Sequence, residues 1–209
     1  LVLSFIPTKE ITMKIAVFGA TGMLGSAIVS EGGSRGHEIV SVSTRPGAGD
    51  VVASIEDTDA VVRLAKDVDA VVVSVPPARS TSAEAWLAAH ERLAATPLEA
   101  RLFMVGGAGS SLDANGRPLL EGEDFPADFR PEAEAASTAL AMFRDGSPEP
   151  TWTIVSPAPV LAPGERTGHY ETSDDHMIGV SVSSQDLAVA IIDELENPRH
   201  SNKRFVVSN

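Results

Sequence analysis

A short apolar run, Lys14-Ile15-Ala16-Val17-Phe18, passes directly into Gly19-Ala20-Thr21-Gly22-Met23-Leu24-Gly25, with a glycine at every third position. Between a strand and a helix that spacing has a specific chemical use. The first glycine turns the chain sharply off the strand. The second lets backbone N–H groups come within hydrogen-bonding distance of a pyrophosphate, and the third lets the helix pack tightly on the sheet. The helix N-terminus adds a partial positive charge. The run therefore predicts a dinucleotide cradle made by Gly19, Thr21, Gly22, Met23, Leu24 and Gly25, with a merely structural tight turn as the plain alternative.

The residues after the second strand choose between the two nicotinamide dinucleotides. A carboxylate there would accept from the adenosine ribose 2′-hydroxyl, whereas an arginine would pair with a 2′-phosphate. The chain reads Val42-Ser43-Thr44-Arg45-Pro46, with no carboxylate before Asp50. Arg45 thus favours NADP(H) over NAD(H); a solvated loop arginine is the alternative. No cysteine is present, which excludes disulfides, thiolate metal sites, iron–sulfur clusters and cysteine nucleophiles. His169 and His176 lie near Asp174 and Asp175 but without helical ligand spacing, so a solvated loop is expected and no metal. Ser110 and Ser111 could hydrogen-bond a substrate or simply cap their loop. His90 and Trp86, one turn apart, read as a core-facing pair, with pocket lining as the alternative. Glu132 and Glu134 read as dipole partners of a helix start. Arg166 could bind an anionic substrate group or fix its own loop.

These residues need a scaffold, and strand-like and helix-like segments alternate throughout, the signature of a parallel α/β sheet. Strands are expected at 14–18, 39–42, 51–53, 70–75, 102–105, 152–155 and 204–207. Helices are expected at 23–34, 57–66, 82–95, 131–144 and 185–196. Near-continuous Val/Ile runs mean strands buried on both faces. The fold class is a Rossmann-type, doubly wound parallel sheet in three α/β/α layers, forming one domain over 13–209. Two long loops, 106–130 and 156–183, follow strand ends, where such sheets place ligands. Helix 131–144 is rich in small residues (Ala133, Ala135, Ala136, Ala139), which permits close packing on the sheet or on a partner. Residues 1–12 read as a poorly ordered extension ahead of a start at Met13, with an edge strand from Val2 to Ile6 as the alternative. At 209 residues, roughly 70% of the unfolded surface can be buried. The 16 Lys+Arg against 29 Asp+Glu give a net charge of −13, which argues against nucleic-acid binding and against docking on anionic membranes. No run approaches the roughly 18 consecutive apolar residues of a membrane span. A cytoplasmic location is expected, as a monomer or a homodimer.

The glycine signature GATGMLG at 19–25 resembles that of the atypical short-chain dehydrogenase/reductases, which include NmrA-like proteins and biliverdin reductase B, and more narrowly the bacterial NADH-flavin reductases. The resemblance extends over Asp69-Ala70-Val71-Val72, Ser74-Val75-Pro76-Pro77, Val105-Gly106-Gly107-Ala108-Gly109-Ser110 and Trp152-Thr153-Ile154-Val155-Ser156-Pro157. It continues through Gly164-Glu165-Arg166-Thr167-Gly168 with Tyr170, and through Ser181-Val182-Ser183 with Asp186-Leu187-Ala188-Val189-Ala190. It implies that the glycine loop holds the pyrophosphate and Arg45 the 2′-phosphate. Ser54 and Ile55 would lie by the adenine, and Val73, Ser74 and Val75 under the ribose. Gly106, Gly107, Ser156, Pro157 and Ala158 would flank the nicotinamide. Ser54 stands where the family usually has an aspartate, which weakens the adenine assignment.

Most short-chain dehydrogenases pass a proton through a tyrosine whose pKa is lowered by a lysine four residues later. Here Tyr170 is the single tyrosine, residue 174 is Asp, and no lysine lies between Lys66 and Lys203. Hydride transfer without that pair suits flavin- or quinone-like acceptors, which delocalise the added charge and take a proton from water. The chain then needs only to position the acceptor. Ser110, Ser111 and Tyr170 remain the weak catalytic candidates. The other reading is an NmrA-like protein that binds the dinucleotide without turnover and reports redox state to a protein partner.

Overall fold

The computed structural model describes residues 12–146 and 150–209. The expected extension 1–12, apart from Thr12, lies outside the described residues. From Met13 onwards β1 (Lys14–Phe18), α1 (Met23–Ser34), β2 (Glu38–Ser43), β3 (Val51–Val52), α2 (Thr58–Ala65) and β4 (Ala70–Val73) follow in order. The chain continues through α3 (Ala83–Ala94), β5 (Arg101–Val105), α4 (Arg130–Asp145) and β6 (Trp152–Pro157). It ends with β7 (Val160–Ala162), β8 (Glu171–Ser173), β9 (Ser181–Ser183), α5 (Ser184–Glu196) and β10 (Lys203–Ser208).

The main sheet runs β3-β2-β1-β4-β5-β6-β10-β8. Every pairing is parallel except that of the edge strand β8 with β10. The strand order reverses beside β1, where Ile15 faces Ile39 of β2 on one side and Ala70 of β4 on the other. That reversal opens the crevice in which doubly wound sheets bind ligands. Alternation along β1 assigns the two faces. Ile15 and Val17 join Leu24 and Ile28 of α1 and Leu187 and Ile191 of α5 in one core. Ala16 and Phe18 join Val61 of α2, Trp86 and Leu93 of α3, and Leu140 and Phe143 of α4 in the other. With both faces covered, β4 (AVVV) is buried along its whole length.

Local chemistry starts most of the helices. The Asp57 carboxylate accepts the Ala60 N–H at 3.0 Å, Ser82 Oγ that of Ala85 at 3.1 Å, and Ser183 Oγ that of Asp186 at 2.9 Å. Pro131 sits in the first turn of α4. Helix α1 differs, because its N-cap is Gly22, with no side-chain cap bond and no acidic residue in the first turn.

Two expectations need correction. The strand read as 70–75 ends at Val73, because Pro76 and Pro77 cannot donate to a neighbouring strand and a 3-10 turn, Pro77–Arg79, begins there. The loop 156–183 contains β7, β8 and β9. Three-residue strands carry too little alternation to be visible in a sequence. The parallel β7–β9 ribbon pairs Leu161 with Val182, burying Val182 against α5.

Candidate functional site at the carboxyl ends of the strands

The turn after β1 requires glycine for reasons of space. Gly19 has φ +79°, and a Cβ there would lie 2.3 Å from the Ser74 carbonyl oxygen. A Cβ on Gly25 would lie 2.0 Å from the Gly19 oxygen, and one on Gly22 only 3.3 Å from the same atom. The Gly22 N–H closes the turn onto Gly19 O at 2.9 Å. Thr21, Gly22 and Met23 are exposed, whereas Leu24 and Gly25 are buried. Helix geometry leaves the first amides of α1 without intrahelical acceptors, and the N-cap Gly22 has no side chain to cap them. A bare, uncapped, acid-free helix start beside a side-chain-free turn fits a pyrophosphate. The residues present suit the dinucleotide that the glycine spacing implies.

Beside this cradle Arg45 is exposed after β2, and among the described residues its guanidinium has no ion pair or hydrogen-bond partner. The first carboxylate in the region, Asp50, is engaged elsewhere: it accepts the Ser41 N–H at 2.8 Å and the Ser41 hydroxyl at 2.6 Å. Those bonds hold its carboxyl below the usual range. Ser54 is half-buried, its Oγ accepting the Glu56 N–H at 3.2 Å. Ile55 needs correction as an adenine wall, since its side chain is 2% exposed and belongs to the core. The Glu56 carboxylate ties this region to the loop after β4 through the Thr81 N–H and hydroxyl, both at 2.8 Å.

Val73 is fully buried, and Ser74 and Val75 emerge half-buried at the strand end. The Ser74 N–H bonds Phe18 O at 3.0 Å, and Trp86 Nε1–H donates to the Val75 carbonyl at 2.8 Å. Trp86 packs against His90, with ring centroids 3.7 Å apart and planes tilted by 31°, and His90 Nδ1 bonds the Trp86 carbonyl at 2.8 Å. Burial pushes His90 down to about 4, so the ring is neutral and belongs to the core.

The segments after β5 and β6 converge. Gly106 N–H bonds Val155 O at 2.8 Å, and a Cβ on Gly106 would lie 2.9 Å from Ile154 and 3.6 Å from Ser156 Oγ. Pro157 and Ala158 are buried beside it. The alanine stripe of α4 packs within the domain: a Cβ on Gly107 would meet Ala136 at 3.3 Å, and one on Gly109 would meet Ala133 at 2.8 Å. The two long loops are joined by backbone bonds, Leu112 N–H to Asp175 O at 2.8 Å and Met177 N–H to Leu112 O at 2.9 Å.

Two catalytic candidates need correction. The Ser111 side chain is inaccessible, and its Oγ accepts from Arg204 at 2.9 Å, as Ser156 Oγ does at 3.3 Å. Tyr170 donates to Asp193 at 2.5 Å, in the last turn of α5. Asp193 also takes Arg35, the residue that ends α1, at 2.6 Å. Tyr170 therefore lies away from the glycine turn by the length of α1, roughly 18 Å for a 12-residue helix. Burial, and then the Asp193 bond, raise its pKa, the reverse of what a proton-transfer tyrosine needs. Ser110 stays half-buried in the 3-10 turn Ala108–Ser110.

Arg166 fixes its loop: its Nε and Nη2 hold both oxygens of buried Glu31 at 2.6 and 2.8 Å. Asp175 accepts from Arg144 at 2.5 Å and from Arg204. Arg204 is the site residue that the sequence reading missed, since its only signal is a charge inside an otherwise apolar strand, RFVV. A cleft of about 200 Å³ lies beside α1, lined by Ser26, Ala27, Ser30, Glu31, Arg166 and Gln185, and one of about 220 Å³ lies between β3 and α2. Neither is lined by residues 106–111 or 156–158. No helix among the described residues is long and apolar enough to cross a membrane.

An NAD(P)H-binding domain family matches residues 19–198. The YwnB protein of Bacillus subtilis (strain 168) is 34% identical over 212 residues, spanning 93% of this chain and 98% of that protein. A crystal structure from Bacteroides thetaiotaomicron, provisionally described as an epimerase, is 31% identical with a TM-score of 0.80, over 95% of this chain and 97% of that one. One from Streptococcus pneumoniae TIGR4, provisionally described as an NADH-flavin reductase, is 28% identical with a TM-score of 0.79, over 93% of this chain and 98% of that one.

Proposed function

The chain belongs to the NAD(P)H-binding family, and on that premise we propose that it is an atypical short-chain dehydrogenase/reductase of NmrA-like type that reduces a flavin- or quinone-like acceptor. One observation carries the reading: an open glycine cradle at the strand ends is combined with a lone tyrosine held at the far end of α1. A bound nicotinamide supplies hydride to the acceptor. Gly22 and the free amides that open α1 hold the pyrophosphate. Arg45, without an ion pair among the described residues of a chain of net charge −13, takes the 2′-phosphate and favours NADP(H). Ser54 and the backbone at Ile55 border the adenine, and residues 73–75 border the ribose. Gly106 and Gly107, with residues 156–158, present side-chain-poor backbone to the nicotinamide, so a flat ring can approach it closely.

Among the described residues no tyrosine–lysine pair is arranged to hand a proton to a carbonyl. Ser111 and Ser156 serve Arg204, and no lysine stands near Tyr170 in sequence. Acceptors that draw their proton from water suit such a site, and the Streptococcus relative's description points the same way. The description of the Bacteroides relative as an epimerase fits less well, because sugar epimerisation of the usual kind uses the missing pair. The engagement of Ser111 and Tyr170 in structural bonds also favours a second reading, a dinucleotide-binding sensor without turnover.

The test is NADPH oxidation, followed optically, with riboflavin 5′-phosphate and menadione as acceptors. Steady oxidation that depends on acceptor supports the reductase. Tight NADPH binding without turnover on either acceptor overturns it in favour of the sensor.

A further inference from the structure

Segments far apart in the chain meet on one side chain of β10. The Arg204 side chain is fully buried. Its Nη1 donates to Ser111 Oγ at 2.9 Å and to Ser156 Oγ at 3.3 Å. Its Nη2 donates to the carbonyls of Ser110 at 3.5 Å and Asp175 at 3.3 Å, and also to the Asp175 carboxylate. Its Nε donates to that carboxylate at 2.8 Å. All three guanidinium nitrogens are thus engaged, by the turn after β5, the end of β6 and the second long loop.

Burying a cation costs several kcal/mol unless it is paired, so an arginine that served only to fill space would be a poor choice here. The planar fork is what this position uses. It sets three segments at fixed angles, which a single flexible ammonium cannot do. Asp175 neutralises it from the outside and is itself held by Arg144 at 2.5 Å. Ser156 and Gly106 sit side by side where the acceptor would meet the nicotinamide.

We propose that Arg204 is a positioning residue that acts through Ser111 and Ser156 to set the spacing of the acceptor slot between the β5 and β6 loops, and so its specificity. This rests on the reductase reading. The glycine cradle for the pyrophosphate lies on β1 and α1 and shares none of these contacts, so the cofactor keeps most of its affinity when the slot that Ser156 shares with the nicotinamide is disturbed.

The test is equilibrium binding of riboflavin 5′-phosphate and menadione to NADP⁺-saturated protein, together with NADP⁺ titration, for wild type, Arg204→Lys and Ser111→Ala. Arg204→Lys is expected to weaken acceptor binding about tenfold and NADP⁺ binding by about twofold at most, since the pyrophosphate cradle is untouched. Ser111→Ala shifts the same way by less and carries the test should Arg204→Lys fail to fold. Unchanged acceptor binding in the variants, or equal losses for NADP⁺ and acceptor, overturns the role of Arg204. Wild type that binds both acceptors without oxidising NADPH overturns the reductase reading alone, and wild type that binds neither acceptor overturns both.

Discussion

Tyr170 donates its hydroxyl to Asp193 at 2.5 Å, and Asp193 also receives Arg35 at 2.6 Å, so the single tyrosine of the chain helps to tie the ends of α1 and α5 together. The same network includes Glu31, which holds Arg35 at 2.8 Å and Arg166 at 2.6 Å, and Glu196, which holds Arg35 at 2.8 Å and His37 at 3.0 Å. It clamps the loop after β7 onto the two helices that cover one face of the sheet.

A structural tyrosine and a proton-transfer tyrosine respond differently to loss of the hydroxyl. Tyr170→Phe is expected to lower stability by about 1 kcal/mol, the worth of a part-buried hydrogen bond. Turnover and NADPH binding stay at wild-type values. Urea unfolding and steady-state kinetics on one preparation check both halves; a collapse of kcat would return Tyr170 to the catalytic residues.

Arg45 gives a test of cofactor choice. Arg45→Asp removes the cation that would meet a 2′-phosphate and supplies an acceptor for a 2′-hydroxyl. NADPH binding is expected to weaken about tenfold or more while NADH binding is held or improved. Calorimetric titration with both dinucleotides decides, and equal losses refute the assignment.

Two glycines of α1 predict opposite signs. A Cβ at Gly25 would lie 2.0 Å from the Gly19 oxygen, backbone against backbone, whereas one at Gly33 meets nothing within 4 Å. Gly25→Ala is expected to cost about 3 kcal/mol or to prevent folding. Gly33→Ala is expected to stabilise by roughly 0.5–1 kcal/mol through helix propensity. Thermal denaturation of the pair checks the signs.

His90 couples stability to acidification. Its pKa falls from the ordinary 6.5 to about 4 on burial in the fold. Between those values the unfolded chain binds more protons than the native one, so stability decreases as pH falls through 6.5 towards 4. The loss from this group is about 2 kcal/mol at about pH 5. Denaturant midpoints of wild type and His90→Gln across that range should converge as pH falls, because the variant lacks the penalty. Parallel curves would show that His90 does not titrate this way.

The fold was largely legible in the sequence because its signals are local. Continuous Val runs that stop at Gly or Pro, and Asp57, Ser82 and Ser183 at helix starts, each act within a few residues of themselves. Residues 160–162, 171–173 and 181–183 were not legible as strands, since three residues give no periodicity and their reason to pair is tertiary: 171–173 lie on the β10 edge, and 160–162 and 181–183 pair with each other.

The glycine spacing of 19–25 determined the tight turn by itself, because a Cβ at Gly19 or Gly25 would lie 2.3 or 2.0 Å from a backbone oxygen, which leaves only one residue type. Tertiary structure alone decided which hydroxyls are available. Ser111 is engaged by an arginine 93 residues later and Tyr170 by an aspartate 23 residues later. Both choices follow from the cost of burying a charge or a hydroxyl without a partner, and that cost exists only once the sheet has closed around them.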